Sequence, residues 1–340
     1  MDDLHVNLKN PNYYYNRELS WLEFNKRVIK EADISDNPLL EQINFLAIGS
    51  SNLDEFFMIR VAGLQDQLHF NPDLRDSKTQ MNAEQQLQAI SEKNRHNLTL
   101  QYDLLNKRLA DLNEHHIHFP RLSELSESEL DEITNYYRER IFPVLTPLGI
   151  DAYHPFPNLN NKVLHLFVHL SKGDEKQNAV VPISSALERF YILESEETTK
   201  VIWLEDIIQA NLSSLFDGYK VIESFTFRVT RNADFDVQEE DAEDLLSVIE
   251  DYVKRRKNGV AVRLEIQNPL SHHATFLIKE LGLLERDVYQ IDGPLDLTTM
   301  FSFVKAISKG REHLEYESFI PQPPQDLQSD ENIFEKELTQ

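Results

Sequence analysis

Residues 17–64 read RELSWLEFNKRVIKEADISDNPLLEQINFLAIGSSNLDEFFMIRVAGL. Apolar residues recur here at helical spacing, which predicts three consecutive helices. Ser20 is the expected N-cap of the first. Glu23 three residues on completes a capping box, and Leu19 and Phe24 are placed as a hydrophobic staple across it. Leu22, Val28 and Ile29 supply the apolar stripe. Asn37-Pro38 predicts the second start, a cap followed by proline at the first helical position. Leu39, Leu40, Ile43 and Leu46 share a face, and this helix is expected to end near Gly49. A third is expected from Ser51-Asn52, with Asp54 and Glu55 in its first turn and Phe56, Ile59, Val61 and Leu64 on its apolar side.

The junction GSSNLDEFF (Gly49–Phe57) carries the sharpest chemistry. A helix start presents unpaired N–H groups and a positive dipole end. Asn52 there has two readings: an N-cap contributing roughly 1 kcal/mol, or an amide that both donates to and accepts from an adenine edge. Arg60, eight residues on, is either a phosphate contact or a solvated or ion-paired arginine. Asp54 and Glu55 read as stabilisers of the helix dipole rather than an acid–base pair.

Outward from this stretch, a polar loop around Asn71-Pro72-Asp73 precedes a long helical pattern, Met81 to Leu112, without proline or glycine. It is expected to close an antiparallel bundle. After His115 the composition shifts. Strand-like runs appear at Val163–Leu170, Ala179–Ile183, Val201–Trp203, Lys220–Val229 and Ala261–Ile266. Helical patterns lie between them at Ser128–Arg140, Glu205–Leu215, Glu239–Lys257 and Ser271–Leu281. Mixed elements of this kind indicate an α/β or α+β domain. The fold class expected is therefore multidomain, α and α/β (α+β): an amino-terminal antiparallel helical bundle, then a mixed α/β head domain. Leu145 to Asn160 reads as an irregular connection, and the tail from Pro321 as a linker.

The 340 residues suggest about two domains. No cysteine is present, which removes disulfides and thiolate metal sites. The first residues lack the pattern of a signal peptide, and no apolar run approaches the ~20 residues of a membrane span. A net charge of −24 repels nucleic acid and free polyanions at long range, so any phosphate site must be local. His115, His116 and His118 follow the long helix, where they interact with its last carbonyls or, less aptly spaced, with a metal. His154 lies in an extended proline-rich segment, and His272-His273 sits near a helix start. The basic run Lys254-Arg255-Arg256-Lys257 reads as a helix C-terminus before Asn258-Gly259, or as a phosphate contact. No Walker loop, kinase glycine loop, H-E-x-x-H or G-x-S-x-G occurs.

RELSWLEFNKRVIKEA (Arg17–Ala32), NPLLEQINFLAI (Asn37–Ile48) and SSNLDEFFMIRVAGL (Ser50–Leu64) together resemble the amino-terminal domain of the polyphosphate kinase family. LTPLGIDAYHPFPNLNN (Leu145–Asn161), SFTFRVTRNADFDV (Ser224–Val237), AVRLEI (Ala261–Ile266) and DVYQIDGPLDL (Asp287–Leu297) resemble landmarks of its head domain. The resemblance implies reversible transfer of the terminal phosphate of ATP to polyphosphate, with magnesium, through a phosphohistidine. It also implies a head domain used for dimer formation and two carboxy-terminal domains resembling phospholipase D. An asparagine that contacts ATP in that family falls at Asn52, as ligand contact, cap or both. The phosphorylated histidine, the magnesium ligands and the polyphosphate tunnel belong to the carboxy-terminal domains, and none of His115, His154 or His272 corresponds to that histidine. The pattern runs out at Asn332 to Gln340. The resemblance thus implies a nucleotide-side portion: residues 1–115 helical, 116–320 head, and 321–340 a linker toward absent catalytic domains. Expected partners are ATP and ADP, polyphosphate through the absent domains, and a second copy through the head, with no nucleic acid and no transmembrane segment. The expected location is the cytoplasm, or the membrane periphery as part of a polyphosphate kinase complex. Phosphate transfer by this chain alone is not expected. The alternative is a non-catalytic nucleotide-binding or dimerisation module.

Overall fold

A computed structural model of the chain describes residues 7–151, 154–195, 197–233, 259–267 and 272–320. The expected helix Glu239–Lys257, its basic run and the tail 321–340 lie outside the described residues.

The first helix, α1 (Arg17–Lys30), starts three residues before the expected cap. Asn16 is the N-cap: its Oδ1 accepts from the backbone N–H of Glu18 and Leu19 at 3.0 and 3.2 Å. The Asn16 amide also donates to Gln86 at 2.9 Å, which anchors the cap to a distant helix. Ser20 is therefore inside the helix, its N–H bonded to the Asn16 carbonyl. Phe24 is 49% exposed, so no staple forms. The second helix, α2 (Leu39–Glu55), has Pro38 rather than Asn37 at its cap. Asn37 instead donates to the Glu31 carbonyl, closing the preceding turn.

The expected break at Gly49 does not occur. α2 passes through it, enters a π-helical turn (Phe56–Val61) and continues as α3 (Ala62–Phe70). Gly49 serves helix crossing instead: a Cβ there would lie 2.7 Å from Cγ1 of Ile29 on α1. Glycine lets two backbones approach as readily as it stops a helix, and local sequence does not tell the two uses apart. The long helix forms as expected, α4 (Ala83–Asp111), with a reciprocal capping box between Asn82 and Gln85. It packs on α1, α2 and α3.

In the head, β1 (Ile117–His118), β5 (Phe190–Glu194) and β6 (Thr199–Trp203) form a small sheet in the order β1-β6-β5. The larger sheet has β2 (Leu148–Ile150), β3 (Leu164–Lys172), β4 (Glu175–Pro182), β7 (Lys220–Arg231), β8 (Ala261–Gln267) and β9 (Val288–Ile291), ordered β2-β4-β3-β7-β8-β9. The pairings β1–β6 and β8–β9 are parallel and the rest antiparallel. Short helices accompany them: α5 (Glu127–Tyr136), α6 (Leu204–Ala210), α7 (His272–Glu280) and α8 (Met300–Ile307). The architecture is the helical bundle followed by a mixed head expected from the sequence.

Both faces of the larger sheet are covered. Along β3, Leu164, Leu166, Val168 and Leu170 join one apolar core together with the amino-terminal helices. Phe167 points the other way, into a second core with Phe225, Phe227 and Val229 of β7 and Ala274 and Leu277 of α7. The alternate residues of β7, Thr226, Arg228 and Thr230, are buried too, each no more than 1% exposed.

Candidate functional site

Because α2 does not restart at residue 52, Asn52 is not an N-cap. Its backbone carbonyl accepts from Phe56 in an unbroken helix, and its side chain is left for other work. It faces an open cleft of about 270 Å³ lined by Trp21, Phe24, Asn52, Glu55, Phe56, Ile59 and Arg60. Trp21 of α1 stacks on Phe56 with ring centroids 4.3 Å apart and planes 9° from parallel. The Phe24 ring is half exposed at the lip, with the Arg27 guanidinium 5.7 Å from its centroid. Behind Asn52, its Nδ2 donates to Oδ1 of Asn25 at 3.2 Å, and Nδ2 of Asn25 donates to the Gly49 carbonyl at 3.0 Å.

The π-helical turn shapes the wall of this cleft. It buries Phe56, Phe57, Met58 and Val61 and leaves Ile59 and Arg60 outward. Turns of this kind recur at functional sites because the extra residue re-aims side chains. The head sheet holds the turn from below. The Met58 carbonyl accepts from Ala233 N–H at 3.0 Å, and the Arg263 guanidinium lies 4.7 Å from the Phe57 ring centroid.

Asp54, two residues after Asn52, does not serve the helix dipole. Its carboxylate is buried against two arginines of the head sheet. Arg228 donates through Nη1 at 2.8 Å and through Nη2 to the other oxygen, and Arg263 donates through Nη2. Glu265 accepts from Arg228 at 2.9 Å, and Asp296 lies 3.4 Å from it. Burial by itself pushes the Asp54 carboxyl up. The charge and hydrogen bonds of Arg228, then those of Arg263, outweigh it and hold the group well below the usual carboxylate range.

Planar rings, one amide edge and a guanidinium at the lip suit a flat heterocycle with an anionic substituent. Glu55 is the one carboxylate among the lining residues, and no histidine or other nucleophile accompanies it. That is no donor set for magnesium, which prefers near-octahedral oxygen coordination.

The pattern for the polyphosphate kinase middle domain matches residues 128–303, more than half of the chain, and that for the polyphosphate kinase N-terminal domain matches residues 14–120. The chain belongs to the polyphosphate kinase family. It is 44% identical over 330 residues to the polyphosphate kinase of Staphylococcus epidermidis, an alignment covering 96% of this chain and 45% of that one. With the polyphosphate kinase of Bacillus cereus it shares 46% identity over 343 residues, 98% of this chain and 49% of the relative. The chain thus spans about half the length of the curated relatives it matches. A crystal structure of polyphosphate kinase from Porphyromonas gingivalis superposes with a TM-score of 0.72 over 91% of this chain and 43% of that one; at 23% identity this is a likeness of fold.

Within this family member the candidate histidines are not among the residues lining the Asn52 cleft. His116 takes a left-handed backbone conformation after α4, His118 bonds Asn113 at 2.7 Å, and the His115 ring meets that of His313. His154 is exposed and hydrogen-bonds Asp151. His273 bonds Glu223 and stacks on His169, whereas the side chain of His272 lies outside the described residues. Among the described residues no three His, Asp or Glu side chains gather as metal ligands, and no helix is long and apolar enough to cross a membrane. Arg60 joins Asn52 at the cleft. Trp21 and Asn25 were not singled out from sequence, and Phe24 only as a staple residue; their signal was the shared face of α1 at i, i+3 and i+4 spacing. Arg228 and Arg263 had no local signal, lying 174 and 209 residues from Asp54.

Proposed function

We propose that this chain is the nucleotide-side portion of a polyphosphate kinase. The adenine ring of ATP or ADP enters the cleft, Asn52 hydrogen-bonds its edge, and the phosphates leave past Arg60 toward catalytic groups outside the region matched here. Residues 1–115 supply the base contact and the head carries self-association. The observation that supports this most is the side-chain amide of Asn52, free of capping duty, bonded to Asn25 through Nδ2 and set among aromatic rings. In the whole enzyme the reaction is reversible transfer of the terminal phosphate of ATP to polyphosphate through a phosphohistidine, with magnesium.

Calorimetric titration of the 340-residue protein with ATP tests the base contact. Asn52→Ala is expected to weaken binding about tenfold, equivalent to roughly 1.4 kcal/mol. An unchanged affinity would return Asn52 to a purely structural bond with Asn25. Incubation with terminally labelled ATP is expected to yield no labelled polyphosphate, because the cleft offers one guanidinium and no nucleophile. Labelled polymer made by the purified chain would sink that part of the reading.

A further inference from the structure

We propose that Asn25 is a specificity-determining residue: through Asn52 it sets the preference of the cleft for a 6-aminopurine over a 6-oxopurine. This rests on the nucleotide reading of Asn52 and adds a positioning role for a buried residue that touches no nucleotide itself.

The direction of the hydrogen-bond chain follows from chemistry at its closed end. The Gly49 carbonyl can only accept, so the Asn25 atom 3.0 Å from it is the NH2 group. The other end of that amide, facing Asn52, is then Oδ1, which also can only accept. Hence the Asn52 atom 3.2 Å away is Nδ2. Asn25 is 2% exposed, so no solvent is at hand to bond either end after a flip. The chain Gly49–Asn25–Asn52 holds the half-buried Asn52 amide in one of its two orientations.

What remains to the cleft is Oδ1 of Asn52 and its second N–H, neither bonded to any described residue. These present an acceptor and a donor in a fixed order. On its N1 side adenine offers an N6–H donor beside the N1 acceptor. Hypoxanthine and guanine reverse that edge, with O6 as acceptor beside an N1–H donor. A fixed amide pairs with one order, while an amide free to turn over pairs with either. The Trp21, Phe24 and Phe56 rings limit how far a base can turn to compensate. Asn52 therefore supplies the contact, and Asn25 supplies the discrimination.

The test is calorimetric titration of the 340-residue protein with ATP and with ITP, in wild type, Asn25→Leu and Asn52→Ala. Wild type is expected to bind ATP roughly tenfold more tightly than ITP, the penalty for leaving polar edges mismatched. Asn25→Leu keeps the volume, releases the amide, and is expected to bring the two affinities within about twofold of each other. Should that variant fail to fold, Asn25→Ala gives the same comparison. Equal wild-type affinities overturn the inference. So does an ATP preference that survives Asn25→Leu, which leaves the nucleotide reading standing. Absence of binding by either triphosphate overturns both. If Asn52→Ala binds as wild type does, the nucleotide lies elsewhere and the inference again fails.

Discussion

Arg228→Met is expected to lower the unfolding free energy by about 3–5 kcal/mol at pH 7, the usual cost of removing one partner from a buried ion cluster. Wild type holds two buried cations, Arg228 and Arg263, against Asp54, Glu265 and the partly exposed Asp296. The substitution leaves one cation facing three carboxylates in a site where the Asp54 and Glu265 side chains are under a tenth exposed. Methionine fills the space without replacing the charge, so the loss is electrostatic rather than a cavity effect. The pH dependence distinguishes this from ordinary destabilisation. In wild type the Asp54 value is depressed, so its stabilisation is complete above the unfolded value of 3.8 and is lost as pH falls through the lower folded value. In the variant, burial acts with weaker opposition and raises the folded value, so acidification relieves the strain. The stability gap between the two proteins is therefore expected to narrow from pH 7 to pH 4 in denaturant titrations. A loss below 1 kcal/mol, or a gap that widens on acidification, would show that the cluster does not hold the head to the helices.

Lowering the pH from 7 to 4 is expected to remove about 3 kcal/mol through His165 alone. This histidine of β3 is 1% exposed, stacks on Phe227 with centroids 5.2 Å apart, and has no hydrogen-bond partner at Nδ1 among the described residues. Burial pushes its value down from 6.5 to about 4, against a backbone hydrogen bond at Val163 and with a smaller push from Arg231. The unfolded chain then takes up the proton more readily than the folded one. This contribution is full above pH 6.5, declines between 6.5 and 4, and is lost below that. The window lies above that of Asp54, so the two are separable in one titration. His165→Gln, which does not titrate, is expected to flatten the curve between pH 6.5 and 4.5. A wild-type curve already flat there would show that this histidine is charged in the folded protein.

The helices and strands were legible in sequence because each reports a local period. Leu87, Ile90, Leu98 and Leu105 recur at helical spacing over an uninterrupted stretch, and all four are buried in α4. The alternation in Ser224–Arg231 marks β7, one face of which is the core around Phe225, Phe227 and Val229. The same period says nothing about what covers the polar face. Thr226, Arg228 and Thr230 would suit water as well as they suit Asp54. Their burial depends on the helical region packing against the sheet, a contact across more than 170 residues.

Residues 17–64 show the division most closely. Their helical character, their apolar residues and their family resemblance were determined by the sequence itself. Where the helices begin and end was not. Asn16 displaced Ser20 as cap because Gln86 fixes it from another helix, and Gly49 became a crossing point because Ile29 passes within contact distance. Both choices depend on partners that no local window contains. Tertiary structure alone therefore decided that Asn52 sits in mid-helix, with its amide oriented from behind by Asn25 and open to the cleft in front. A cap residue would have used that amide on its own backbone; an unbroken helix has no orphan N–H at this point to claim it.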